Sequence, residues 1–296
     1  MALLWRYGRR LVGGRHVVLS LLAPLIVALV LLIRVTVLWA GWLLIFAADE
    51  ASVVGTVSRQ PASGFDRLYF VGYTIFTLGN GDFAPNGPLW QFLTVVASGS
   101  RLILVSLAIT YLVSILGAVV TKRTFATRVH AMGETPQELV INSWDGDRFS
   151  RLEFVLSSLA ADLARLGTQH LVYPVVHYYH PVDRRGSSAA AIAMLDAAVT
   201  LLSSGVARPG RPSRAVSQSV RGSVGSYLSV MEPGSVTWAD SAPPSPDLAP
   251  LRLAGIPTVD DAPYLLDVEE QGERRRKLRG PLESDHWHWQ AASLRS

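Results

Sequence analysis

The sequence predicts an all-α membrane protein. It should have an outer helix, a short re-entrant helix with a glycine-punctuated loop, an inner helix, a small cytoplasmic helical domain and a flexible tail. Three observations predict this. Two apolar runs, Val17–Ala48 and Leu89–Val120, are each longer than the about 20 helical residues that cross a bilayer. Between them lies TIFTLGNGDFAP, Thr74–Pro85, whose glycines interrupt an otherwise apolar segment. The apolarity is concentrated in the first 120 or so positions, and the remainder is polar. That concentration explains why 49% of the 296 residues are apolar and the mean hydropathy is +0.28, high for a soluble chain.

Composition excludes several functions. The net charge is only +4, and no dense basic tract interleaved with aromatics occurs, so nucleic acid is not an expected partner. The absence of cysteine removes disulfides, thiolate metal sites and cysteine nucleophiles together. No grouping of serine, carboxylate and histidine suggests catalysis, so no enzyme is expected.

Residues 1–16 form a basic stretch, with Arg6, Arg9, Arg10 and Arg15 ahead of the first apolar run. That run is about half as long again as one span requires. One reading is a single tilted helix over about 25–47, with Val17–Pro24 along the cytoplasmic interface. The other is a pair of short helices broken at Arg34. The first is preferred, because each half alone is too short to cross. The run is too long for a cleaved signal peptide, and no small-residue cleavage site ends it before Asp49. Trp39 and Trp42 suit an interfacial aromatic belt.

The inner helix, about 89–121, starts after Pro88 and ends at Lys122-Arg123. Positive charge flanks both spans on their outer-sequence sides, whereas Asp49, Glu50, Asp66 and Asp82 lie between them. The positive-inside bias places both termini in the cytoplasm of a multi-pass cell-membrane protein. The segment from Asp49 to Pro88 then begins and ends outside.

A pore helix is expected over about 64–76. Ser63-Gly64-Phe65-Asp66 is a capping box, and the apolar residues after it are too few to span. Glycine-rich backbone at membrane depth is tolerated only when buried in protein or lining water. A row of backbone carbonyls can replace a cation's hydration shell, and Gly79 and Gly81 can adopt the dihedrals that aim such carbonyls alike. The short helix directs its partially negative C-terminal end at the membrane centre. One loop per chain cannot enclose a narrow path, so several copies must surround an axis.

These residues resemble the two-transmembrane potassium channel family. Thr74, Thr77, Gly79, Gly81 and Asp82 stand in register with its T-x-G-[YF]-G-D filter, between helices in the same order, over about Leu25 to Thr121. The resemblance implies a homotetramer in membrane lipid. It implies a filter Thr77-Leu78-Gly79-Asn80-Gly81-Asp82, with the carbonyls of Thr77 to Asn80 as potassium sites and no cofactor beyond the permeant ions. It also implies a cavity lined by Ile103, Ser106, Thr110 and Ser114. Asn80 departs from the family, which has an aromatic there that packs against pore-helix aromatics and braces the filter.

The inner helix bears Ser106, Thr110, Ser114, Gly117 and Thr121 at spacings of three and four. Such a face is either a small-residue packing seam or the wall of a wet cavity. At about 100° per residue, Arg101 lies roughly 140–180° from Ser106 and Thr110, so it should point towards the outer helix or lipid. Arg34, within the first span, should snorkel or reach a carbonyl. No regular arginine spacing suggests a voltage sensor.

Residues 124–204 are expected to form the helical domain. Thr135-Pro136-Gln137-Glu138 and Ser150-Arg151-Leu152-Glu153 both read as capping boxes. Leu152, Leu156, Leu159, Leu163 and Leu166 form the apolar stripe of a helix ending at Gly167, and a further helix covers Ala189 to Leu202. No G-x-G-x-x-G follows a strand, so the nucleotide-binding domain often attached to such channels is absent. His177-Tyr178-Tyr179-His180, with His170, reads as a metal site or as packed histidines, and packing is the commoner case; no metal site is assigned. His286-Trp287-His288-Trp289 belongs to the stretch 205–296, rich in Ser, Pro, Gly and Arg and expected to be largely flexible. The resulting functional reading is a cation channel subunit passing potassium. The alternatives are a weakly selective cation channel and a non-conducting membrane scaffold with a degenerate filter.

Overall fold

The computed structural model describes residues 16–208, 210–231, 238–284, 287 and 289. The basic stretch 1–16 lies outside the described residues except for its last position. The protein is a mostly helical membrane protein that divides into two compact units. One is Pro24–Ser114; the other joins Met1–Ala23 to Ile115–Ser296.

Helix α1, His16–Ala47, is continuous, so no break occurs at Arg34. It also runs back through Pro24 to His16, well before the expected start near residue 25. Proline removes one backbone donor, and an apolar membrane helix tolerates the loss. Arg34 is exposed on this helix. After α1 comes strand β1, Val53–Gly55, then helix α2, Gly64–Phe76, and strand β2, Phe83–Pro85. The strands pair antiparallel, with Val54 opposite Ala84. This small ladder was not foreseen, because three-residue strands carry no readable alternation. Helix α3, Pro88–His130, is the longest element.

At 1.5 Å per residue, the 13 residues of α2 extend about 20 Å, short of the roughly 30 Å hydrocarbon core. Its start is fixed by the capping box. Ser63 Oγ accepts from the Asp66 amide at 3.2 Å, and Asp66 Oδ2 accepts from the Ser63 amide at 3.0 Å. The core of this unit is aromatic: Phe46, Phe70, Tyr73 and Ile75 are buried together with Val53, against Trp39, Trp42, Phe83 and Trp90. Trp42 Nε1 donates to Ser100 Oγ at 3.0 Å, which ties α1 to α3. Outside that core both long helices expose apolar side chains, among them Leu32, Val37, Leu44, Phe92, Val95 and Leu107. Apolar surface on this scale belongs against lipid or another protein chain.

The second unit is helical. Helix α4, Pro136–Asn142, is capped by Thr135, whose Oγ1 accepts from the Glu138 amide at 3.1 Å. Helix α5, Leu152–Val172, buries Leu152, Leu156, Leu159, Leu163 and Leu166, but its start lacks the expected box. Arg151 is the N-cap, and the Glu153 carboxylate instead accepts from the amide and hydroxyl of Ser213, at 2.6 and 3.3 Å. Nor does Gly167 end the helix. A Cβ there would sit 3.6 Å from the Tyr227 Cα, an ordinary contact, where α5 packs against the segment that carries Tyr227. Helix α6, Ser188–Thr200, continues as a π turn over Leu201–Gly205. It is apolar enough to cross a membrane, yet 94% of it is buried within the protein, so it serves as a core helix.

For the described residues of 205–296 the structure corrects the expectation of a largely flexible tail. Helices α7, Arg214–Met231, α8, Ala249–Leu253, α9, Asp261–Glu270, and α10, Gly272–Ser284, follow. Val220, Val224, Tyr227, Leu228, Leu251, Tyr264, Val268 and Leu278 belong to the same buried core as the leucines of α5. The apolar residues of this stretch are few, but in α7 they recur at spacings of three and four and so fall on one face. Its arginines are also used inside. Arg274 Nε pairs with buried Asp196 Oδ1 at 2.9 Å, and Arg275 donates to the Pro243 and Pro244 carbonyls at 3.0 and 2.6 Å. Burial pushes the Asp196 carboxyl up, and Arg274 pulls it back down.

Candidate functional site

The site begins where α2 stops. Thr77, its C-cap, has φ 55° and ψ 36°, and its amide bonds the Thr74 carbonyl at 3.3 Å. A left-handed backbone is unusual for a β-branched residue and marks stored strain. The Leu78 amide returns to the Tyr73 carbonyl at 2.9 Å. Gly79 and Gly81 then follow with φ of 66° and 81°. A Cβ on either glycine meets no atom within 4 Å, so glycine is needed there for backbone angle and not for space.

Carbonyl use divides the loop in two. Among the described residues, the carbonyls of Thr77, Leu78, Gly79 and Asn80 accept no hydrogen bond. The next two are taken by Thr56. Its Oγ1 donates to the Gly81 carbonyl at 2.5 Å, and its amide donates to the Asp82 carbonyl at 3.0 Å. The whole of 77–82 is exposed in the single chain. Four successive unpaired carbonyls on exposed backbone at the end of a short apolar helix can ligate a dehydrated cation.

Asn80 is braced, although by chemistry different from ring packing. Its Nδ2 donates to the Tyr69 hydroxyl, and that hydroxyl donates to Asp82 Oδ2 at 3.3 Å. Tyr69 is itself held edge-on by Tyr73 and Phe83, with ring centroids 5.3 and 6.4 Å away. The Tyr73 hydroxyl donates to the Phe83 carbonyl at 2.5 Å. Sequence reasoning missed Tyr69 and Thr56. The i and i+4 placement of Tyr69 and Tyr73 on α2 was the available signal for the first; Thr56 left none.

Arg101 departs from expectation. Its Nη1 donates to Thr77 Oγ1 at 3.2 Å, so the guanidinium lies at the Thr77 end of the loop and not away from it. A helical wheel fixes only the direction of Cβ, and the long arginine stem carries its head well away from that line. Further along α3, Ile103, Ser106 and Thr110 are exposed and Ser114 is half-buried. The Thr110 and Ser114 hydroxyls donate to the carbonyls four residues back, at 2.9 and 3.0 Å.

His170 and His180 of the second unit are buried and packed. His170 Nδ1 lies 2.9 Å from the Leu166 carbonyl, and His180 stacks on Trp287 with centroids 6.1 Å apart. Among the described residues no group of three or more His, Cys, Asp or Glu side chains could hold a metal. His286 and His288 lie outside the described residues.

Comparisons with known proteins bear on the membrane part of the chain. A family model described as an ion channel matches residues 27–118, which contain α2, the loop and most of the membrane part of α3. A Bacillus subtilis (strain 168) protein named "Uncharacterized membrane protein YdjJ" is 37% identical over 288 residues, covering 97% of this chain and 84% of its own. No solved structure matches the chain. With apolar helices long enough to cross a membrane and the loop between them, the chain belongs to the two-transmembrane ion channel family.

Proposed function

We propose that the chain is a subunit of a homotetrameric cation channel that passes potassium along the backbone of Thr77-Leu78-Gly79-Asn80-Gly81-Asp82. The observation that carries this reading is the split in carbonyl use. Thr77 to Asn80 keep free carbonyls, while Thr56 holds those of Gly81 and Asp82. On this reading the first four supply ion sites, and the last two form the fixed outer frame. The positive φ at Thr77, Gly79 and Gly81 supports a loop that turns its carbonyls alike. One exposed loop per chain needs further copies to close a path, and four copies give the geometry of a narrow filter. Ile103, Ser106, Thr110 and Ser114 then line the cavity below it. Both termini lie in the cytoplasm, on the charge bias of the sequence.

A weakly selective cation channel is the second reading. It is favoured by the brace on Asn80, an exposed hydrogen bond in place of a buried ring. The full chain reconstituted into liposomes separates the two. Potassium efflux should exceed sodium efflux under equal gradients by more than tenfold. Equal rates would favour the second reading, and no flux of either ion would favour a scaffold.

A further inference from the structure

Arg101 brings a full positive charge to the Thr77 end of the loop. The acceptor it finds, Thr77 Oγ1 at 3.2 Å, is neutral. The Thr77 hydroxyl has already turned its own proton to the Phe76 carbonyl at 2.7 Å, so Arg101 takes one of the two lone pairs that this oxygen could offer a permeant ion. Among the described residues no carboxylate pairs with Arg101. A charged side chain at membrane depth is costly and is ordinarily paired or functional. A neutral donor would make the same bond at a lower desolvation cost, so the charge is the part that bracing does not require.

We propose that Arg101 is a conduction-limiting residue, whose guanidinium occupies the innermost ion position at Thr77 and opposes entry of cations from the cytoplasmic side. The proposal rests on the pore reading above. Rings of arginine favour anions and repel cations in narrow pathways. In a tetramer four such heads would surround one axis, and each must swing off its threonine hydroxyl before the inner site can fill. Arg101 thus sets how often the filter loads from inside, without changing the carbonyls that discriminate between ions.

The test is potassium efflux from liposomes containing equal amounts of folded full-length wild type, Arg101→Gln, Arg101→Lys or Arg101→Met. Arg101→Gln keeps a donor for Thr77 and loses the charge. It should raise initial efflux by about tenfold, the order expected when a nearby like charge is removed from a partly screened path. Arg101→Met should do the same, Arg101→Lys should stay near wild type, and the potassium-to-sodium ratio should be unchanged in all. If wild type conducts and Arg101→Gln conducts no faster, the proposal is overturned while the pore reading stands. A fall in Arg101→Met alone would make Arg101 a brace, which also overturns it. If wild type and Arg101→Gln are both silent in folded tetramers, the pore reading fails and takes the proposal with it.

Discussion

Tyr69 does at Asn80 what a packed ring would otherwise do. Its hydroxyl accepts from one side chain of the loop and donates to another, so a single phenol couples Asn80 to Asp82. Each such bond is worth about 0.5–1.5 kcal/mol net. Tyr69→Phe keeps the edge-on contacts with Tyr73 and Phe83 and deletes both bonds. It should leave flux intact and lower the potassium-to-sodium ratio several-fold, as read by paired efflux assays. Asn80→Ala should act in the same direction. The double variant should be little worse than Tyr69→Phe alone, because that substitution already removes the bond Asn80 makes. An unchanged ratio in Tyr69→Phe would show that the brace does not govern selectivity. The sequence marked Asn80 as the position where the motif departs, but it did not point to Tyr69 as the partner. A short amide finds its acceptor through backbone geometry at the loop, which helical spacing does not encode.

Elements were legible where local signals had no competitor. The Ser63–Asp66 box and the leucine stripe of α5 could be read directly, because each is completed within one element. The box at Ser150 failed because Ser213 takes the Glu153 carboxylate from 60 residues away in sequence. Helices α7 to α10 were hidden for a related reason. Their stretch is dilute in apolar residues, and several of its arginines find partners in other segments instead of solvent. Arg274 on α10 tests that account. Arg274→Met leaves the Asp196 carboxylate buried without its partner, which typically costs about 3–5 kcal/mol. The variant should melt markedly lower, as followed by circular dichroism of the full chain in detergent. Asp196 is already pushed above its ordinary value of 3.8 by burial, and losing Arg274 pushes it further. The folded state then holds a proton that the unfolded state releases, so stability falls as pH rises through the window above 3.8 and returns as pH is lowered. The defect in Arg274→Met should therefore shrink in mild acid. A variant that melts like wild type at neutral pH would mean that α10 is not packed on α6.

At the scale of the whole molecule, two long helices with exposed apolar sides flank a loop that is too exposed in one chain to enclose anything. Membrane association was legible in the sequence, since about 20 apolar residues in a row have few other uses. The way the loop is held was not, because it depends on Thr56, on a two-stranded ladder and on an arginine from α3, all brought in from distant positions. The central claim is that the backbone of 77–80 is the path of the ion. Gly79 tests it most cleanly: its φ is 66°, and a Cβ there meets nothing within 4 Å, so alanine changes the angle preference alone. That preference is worth about 1–2 kcal/mol per residue and acts in every copy around the axis. Potassium efflux should be compared between wild type and Gly79→Ala in liposomes matched for crosslinked tetramer. The account predicts robust efflux from wild type and none above background from Gly79→Ala; equal efflux from the two would contradict it.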